Sequence, residues 1–118
     1  MDIKVFFSKH YSRGIKSQSD LDRISSLILS FDQFKKIEND LHQLRYLDTL
    51  IINDYSESIF ELFHPTLKQL TINKGNFSKI NLQTPKLNYL TIKDTLLEEL
   101  ILKNIFDLKS INCSSNKI

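Results

Sequence analysis

A repeat with a period of about twenty residues is the feature that most constrains the fold of this chain. Residues 67–72 read LKQLTI, and residues 87–92 read LNYLTI. The apolar frame L-x-x-L-x-I, with successive spacings of 20, 20 and 21 residues, falls at Leu47, Leu50 and Ile52, at Leu67, Leu70 and Ile72, at Leu87, Leu90 and Ile92, and at Leu108, Ile111 and Cys113. A unit this short cannot bury its own apolar side chains, so neighbouring units must stack and bury them jointly.

The apolar residues inside each frame indicate strands. Alternate side chains of a strand point the same way, so the last two apolar residues of a frame share one inward face. About ten residues later comes a second apolar set, and a helical stripe would lose its phase over such a step. These second sets are Phe60 and Leu62, then Phe77, Ile80 and Leu82, then Leu97, Leu100 and Leu102. The pattern predicts two inward-facing walls per repeat.

The first part of the chain carries a longer form of the same pattern. Ile24, Leu27 and Leu29 fit the frame, and Ile3 and Val5 precede Leu27 and Leu29 by 24 residues, which predicts IKVFF as a first strand. In the connection that follows, an amphipathic helical stripe is formed by Phe34, Ile37, Leu41 and Leu44. We expect a helix there, with Ser30 or Asp32 as its N-cap, and a short helical turn at SDLDRI.

Composition places the chain among globular domains. It has 118 residues, of which 41% are apolar and 25% charged, enough for one folded domain without a structural staple. The apolar run near the start is too short for a signal peptide, and no stretch is apolar enough to cross a membrane. The single cysteine, Cys113, cannot form an internal disulfide. We therefore predict a cytoplasmic protein with no membrane contact.

Residues that could carry chemistry do not converge. His10, His42 and His64 lie in different repeats without metal-ligand spacing, and the chain has only two glycines, too few for a phosphate-binding loop. Glu98 and Glu99 are strand neighbours that point to opposite faces. We predict a protein that is not an enzyme and binds no metal or cofactor. With three arginines and dispersed lysines, the chain also lacks the dense basic stripe of a nucleic-acid binder, so a polyanion ligand is the weakest alternative.

The repeat resembles that of the leucine-rich repeat family. The closing segment LKSINCSSNKI is similar to the short bacterial, internalin-like repeats, matching L-x-x-L-x-C-x-x-N-x-I at Leu108, Ile111, Cys113, Asn116 and Ile118. The resemblance covers residues 24–118 well and 1–23 weakly, and Tyr55, Gly75 and Thr95 replace the loop asparagine. It implies a single-domain α/β solenoid over 1–118, with a parallel sheet of about five or six strands and a helix in the N-terminal half. Residues 1–46 would hold an N-terminal strand and helix-containing repeats, and 47–118 the short repeats.

The resemblance also implies that the exposed strand positions bind another protein. Carried over by position, the candidate partner-binding residues are Ile28, Ile51, Asn53, Gln69, Thr71, Asn73, Tyr89, Thr91, Lys93 and Asn112. The first strand would add Asp2, Lys4 and Phe6. Tyr89 and Lys93 share a face and would serve as anchors, while Ile28 and Ile51 would expose apolar area. The alternative is that these residues are ordinary sheet-surface residues selected for β-propensity.

The final repeat ends without a predicted cap. Around Ile111 to Cys113 we expect a bare strand, which would be explained by an end-to-end homodimer, by a partner protein that covers it, or by the polar edge residues Ser114, Ser115 and Asn116. The leading functional hypothesis is a non-enzymatic protein-binding module, such as an inhibitor, immunity protein or effector. The alternative is a structural protein that assembles with copies of itself.

Overall fold

A computed structural model describes residues 3–10, 15, 17–95, 97–102, 105 and 108–112 of the chain. The helical elements are α1 (Ile3–His10), α2 (Gln18–Leu21), α3 (Phe31–Ile37) and a 3₁₀ helix (Glu38–Gln43). The strands are β1 (Ser26–Ser30), β2 (Thr49–Tyr55), β3 (Ile59–Phe63), β4 (Gln69–Gly75), β5 (Lys79–Gln83), β6 (Tyr89–Lys93), β7 (Glu99–Leu102) and β8 (Ser110–Asn112). None of the helices within these ranges is long and apolar enough to cross a membrane.

The strands form two parallel sheets, so the fold is α/β. The first sheet has five strands in the order β1-β2-β4-β6-β8, and the second has three in the order β3-β5-β7. From β2 onward the chain alternates between the two sheets. Leu50 pairs with Leu70 and Leu70 with Leu90, so the strands of successive repeats are aligned with an offset of twenty residues. The predicted parallel sheet of about five or six strands is confirmed with five strands, and the second predicted wall is the three-stranded sheet.

The apolar frame supplies the core. Its members in β1, β2, β4 and β6 are buried, in one row at Leu27, Leu50, Leu70 and Leu90 and in a second row at Leu29, Ile52, Ile72 and Ile92. The three-stranded sheet adds buried residues at Phe60, Leu62, Ile80 and Leu82 to the same cluster. Ile111 continues the first row on β8 but is 44% exposed. The predicted core position Cys113 lies outside the described residues.

The N-terminal segment differs from the prediction. IKVFF belongs to α1 rather than to a first strand, with Ile3, Phe6 and Phe7 buried and Val5 exposed. This spacing of i, i+3 and i+4 is one face of a helix, whereas a strand would have turned Phe6 away from Ile3 and Phe7. The predicted strand is therefore wrong, and Lys4 and Phe6 do not join the sheet. Asp2 lies outside the described residues.

The predicted helical connection after β1 is confirmed in a modified form. All four residues of its apolar stripe are buried, but the helix changes from α to 3₁₀ geometry at Glu38. Ser30, not Asp32, is the N-cap. The Ser30 hydroxyl accepts a hydrogen bond from the Gln33 backbone N–H at 3.3 Å, and the Gln33 side-chain oxygen accepts one from the Ser30 N–H at 3.0 Å. This reciprocal pair is a capping box, and it fixes where the helix begins.

The short helical turn expected at SDLDRI is present as α2. Its capping box joins Ser17 and Asp20, two residues earlier than the Ser19 and Asp22 pair that the segment suggests. Asp22 instead makes an ion pair with Arg45, and this contact lowers the pKa of the Asp22 carboxyl below its ordinary value. The side chain of Gln18 donates to the backbone oxygen of Gln43 at 2.8 Å, which ties α2 to the end of the 3₁₀ helix.

A left-handed residue lies next to the last residue of three strands of the first sheet. Asp54, Lys74 and Asp94, again twenty residues apart, have φ angles of 59°, 65° and 54°. The residue after the first of them, Tyr55, is buried in an aromatic cluster with Phe31, Phe34, Phe60 and Phe77. After the second comes Gly75, where a Cβ atom would lie 2.8 Å from the ring of Phe77. Aromatic side chains thus pack around the ends of β2 and β4.

His64 links consecutive repeats from a buried position. Its Nε2 lies 3.1 Å from the backbone oxygen of Leu44, and its Nδ1 accepts a hydrogen bond from the backbone N–H of Thr66 at 3.2 Å. Since Nδ1 accepts, Nε2 must carry the proton, and the imidazole is neutral. Burial lowers the pKa of His64 below its ordinary value. This histidine therefore has a structural role at the connection between β3 and β4.

Candidate functional site

The outward side chains of the five-stranded sheet form one continuous surface, which we call the outer face. Because strand registers align and side chains alternate, the outer face consists of three rows that cross the strands. The rows are Ser26–Thr49–Gln69–Tyr89–Ser110, Ile28–Ile51–Thr71–Thr91–Asn112 and Ser30–Asn53–Asn73–Lys93. All ten candidate partner-binding residues lie on this face. Register and the alternation of side chains together place them on one side of one sheet.

An apolar patch occupies the β1 end of the outer face. Ile28 is 61% exposed and is paired in register with Ile51, which is partly exposed. Neighbouring strands lie about 4.8 Å apart, so the two side chains are adjacent. The row that contains these two residues is therefore apolar on β1 and β2, whereas it is polar on β4, β6 and β8. An exposed apolar pair of this kind gains free energy when another surface covers it.

Amides and hydroxyls fill the centre of the outer face. The side-chain nitrogen of Asn73 donates to the side-chain oxygen of Asn53 at 3.2 Å, across the β2–β4 pair. This contact orients both carboxamides and uses neither the oxygen of Asn73 nor the nitrogen of Asn53. Thr71 and Thr91 lie beside them in the adjacent row and are partly exposed. The centre can therefore both donate and accept hydrogen bonds.

Tyr89 and Lys93 lie at the two ends of β6 on the outer face. Tyr89 is 43% exposed, and Lys93 makes no ion pair with any described residue. They are four residue steps apart along the strand, a distance of about 13 Å, which lets both contact one partner. Lys93 is the only charged residue in the three rows of the outer face. Its uncompensated charge favours an acidic group on whatever covers this part of the sheet.

The outward side of the three-stranded sheet was missed by reasoning from the sequence. Its strands also alternate, so IFELF turns Ile59, Glu61 and Phe63 outward, and Phe63 is 60% exposed. The signal available in the sequence was an apolar aromatic residue at an outward strand position. What the sequence does not show is that the 3₁₀ helix lies beside β3 and turns this surface into a groove.

Possible metal ligands are dispersed across the described part of the chain, where no three His, Cys, Asp or Glu side chains are grouped to hold a metal ion. Ion pairs join Lys35 to Glu38 and Glu57, and Lys79 to Glu99.

Comparisons of the chain with protein-family models, with curated proteins and with solved structures found no match.

Proposed function

We propose that the chain is a non-enzymatic protein-binding module of leucine-rich-repeat type, built as a short solenoid and placed in the cytoplasm. The family assignment depends on the recurring L-x-x-L-x-I frame, and the parallel register at an offset of twenty residues supports it. Alternation of successive strands between two sheets supports the solenoid. An inhibitor, immunity protein or effector would suit a small module of this kind.

The observation that carries the proposal is the composition of the outer face. It combines an apolar pair at Ile28 and Ile51, adaptable amides and hydroxyls in the centre, and an exposed tyrosine and lysine on β6. Tyrosine is a favoured anchor because it buries much area and loses few rotamers. Four strand spacings of about 4.8 Å make the face roughly 19 Å wide. A standard interface buries about 800 Å² per partner, so the partner would also contact the turns that flank the strands.

The test is capture of a partner from the native cell, identified by mass spectrometry, followed by binding measurements on variants. We expect the double variant Tyr89→Ala/Lys93→Ala to weaken capture, with an unchanged circular dichroism spectrum. The control is Ile59→Ala/Lys79→Ala, which removes an exposed apolar side chain and a lysine from the outward side of the three-stranded sheet, away from the outer face. Full binding by the Tyr89/Lys93 variant would refute the assignment of the face.

A second candidate function, self-assembly, is favoured by β8. This strand ends the order of the five-stranded sheet among the described residues, and its Ile111 is 44% exposed although its row is buried elsewhere. Edge strands present unpaired backbone groups that can pair with another copy. An end-to-end homodimer would cover both the edge of β8 and the exposed side chain of Ile111. Size-exclusion chromatography with light scattering over a range of concentrations decides this, since a monomer at every concentration would eliminate the dimer.

A further inference from the structure

A groove with a volume of about 400 Å³ lies on the opposite side of the molecule from the outer face, against the three-stranded sheet. Its wall is the 3₁₀ helix, which contributes Glu38 and His42. Its floor is formed by β3 and β5, from which Glu61, Phe63 and Asn81 take part. The volume falls in the range of about 300–1,000 Å³ that is typical of ligand sites. The groove is thus large enough for a side chain and part of its backbone.

The groove carries a negative charge that the described residues do not neutralise. Glu38 is paired with Lys35, 2.6 Å away. Glu61 is exposed and makes no ion pair with any described residue. No lysine or arginine lines the groove among the described residues. The Glu61 carboxylate at the floor therefore attracts a cationic group.

Asn81 supplies a second hydrogen-bonding group next to this carboxylate. Its side-chain oxygen is buried and accepts no hydrogen bond from a described residue. A half-turn of the carboxamide turns this oxygen out of its buried position toward the groove and puts the NH2 group there, so one polar group is unpaired in either orientation. Asn81 is paired in register with Glu61, so the two side chains lie about 4.8 Å apart on the same face. Two acceptors can thus converge on one ligand.

An aromatic ring completes the floor. Phe63 follows Glu61 by two residues on β3, so it points to the same side at a distance of about 6.6 Å along the strand. It is 60% exposed, which is unusual for a phenylalanine in a sheet. The face of an aromatic ring attracts a cation, and a flat guanidinium can stack on it.

We propose that this groove binds an arginine side chain of a partner protein. An arginine satisfies all three features together, because its planar guanidinium can stack on Phe63 while its forked N–H donors bond to the Glu61 carboxylate and the Asn81 oxygen. A lysine ammonium is a compact point charge that cannot stack in this way. The proposal does not depend on the outer face, since it concerns the other sheet. It makes a basic, arginine-bearing segment the recognised element on this side of the molecule.

The experiment titrates the isotopically labelled full chain with the peptide acetyl-Gly-Arg-Gly-amide and follows backbone amide shifts by NMR. We expect saturable shifts that cluster at Glu61, Phe63 and Asn81 and in the 3₁₀ helix. Replacing arginine by citrulline keeps the shape but removes the charge and should weaken binding about tenfold or more, as should Glu61→Gln. The lysine peptide should bind several-fold more weakly than the arginine peptide. Phe63→Leu should produce a similar several-fold loss.

Glu99→Gln is the matched control, because Glu99 is a carboxylate on the outward side of the same sheet but does not line the groove. It should leave the affinity for the arginine peptide within twofold of the original. Equal binding of the citrulline peptide, an unchanged affinity of Glu61→Gln, or the lack of saturable shifts at the groove would each overturn the proposal. Retained dispersion in the amide spectra verifies that each variant is folded.

Discussion

Replacing Leu70 by alanine tests the packing of the repeats most severely. Leu70 lies in β4, the central strand of the five-stranded sheet, and is buried between Leu50 on one side and Leu90 on the other. Backbone hydrogen bonds hold the flanking strands at about 4.8 Å, so the neighbouring leucines cannot close over the space that the substitution leaves. A Leu→Ala change at such a site adds a cavity cost to the loss of buried apolar surface.

The expected loss is about 3–4 kcal/mol, in the middle of the range of about 2–5 kcal/mol for buried leucines. A chain of 118 residues has a free energy of unfolding of roughly 6–18 kcal/mol, so the loss is a large share of the total. Its entropy of unfolding is about 0.25 kcal/mol per kelvin, and the melting temperature should therefore fall by about 12–16 °C.

Urea denaturation followed by circular dichroism measures this loss, with thermal melting as a second readout. The matched control is Ile111→Ala, because Ile111 belongs to the same row but is 44% exposed on β8. Its truncation removes less buried area and leaves no closed cavity, so it should cost about 1 kcal/mol or less. The reasoning is refuted if Leu70→Ala costs under about 1 kcal/mol, or if the two variants lose equal stability.

Three further predictions concern the turns between strands. Gly75→Ala should destabilise the protein by about 1–3 kcal/mol in the same denaturation assay, because the new Cβ would lie 2.8 Å from the buried ring of Phe77; no change would contradict the packing. Lys74→Gly should stabilise the protein by about 0.5–1 kcal/mol, since a left-handed lysine is strained. A loss of stability would show that the lysine side chain contributes more free energy than its backbone strain costs. His64 is protonated more easily in the unfolded chain, so the free energy of unfolding should fall as the pH drops below about 6.5 until the folded-state pKa is passed. Urea titrations across this range should show a smaller fall for His64→Gln, and an equal fall would exclude His64 as the cause.

The parallel sheet and its register could be predicted because the frame fixes both. Leu50, Leu70 and Leu90 recur at a constant interval, and a slip by one residue would turn every leucine outward. Once the register is known, strand alternation also places the outer face, including Tyr89 and Lys93. The positions of the candidate site could therefore be predicted from the sequence. Its binding function is still a prediction.

The N-terminal elements could not be predicted reliably because their patterns are short and ambiguous. In IKVFF, Ile3, Val5 and Phe7 alternate as in a strand, whereas Ile3, Phe6 and Phe7 have the spacing of one helix face. Five residues are too few to decide between the two patterns. The segment before β1 likewise contains two Ser-x-x-Asp pairs, of which Ser17 with Asp20 forms the cap. The groove at Glu61 could not be predicted from the sequence for a different reason. It depends on where the 3₁₀ helix packs against β3, and no local pattern specifies that contact.

The most direct test of the account is a set of nuclear Overhauser effects between leucine methyl groups in the folded chain. Adjacent repeats place Leu70 one strand from Leu50 and one strand from Leu90, at about 4.8 Å between strands. Leu50 and Leu90 are then separated by two strands, or about 9.6 Å. We predict strong contacts of Leu70 with both neighbours and none between Leu50 and Leu90. The lack of either Leu70 contact would contradict the stacking of repeats, and with it the outer face that the stacking creates.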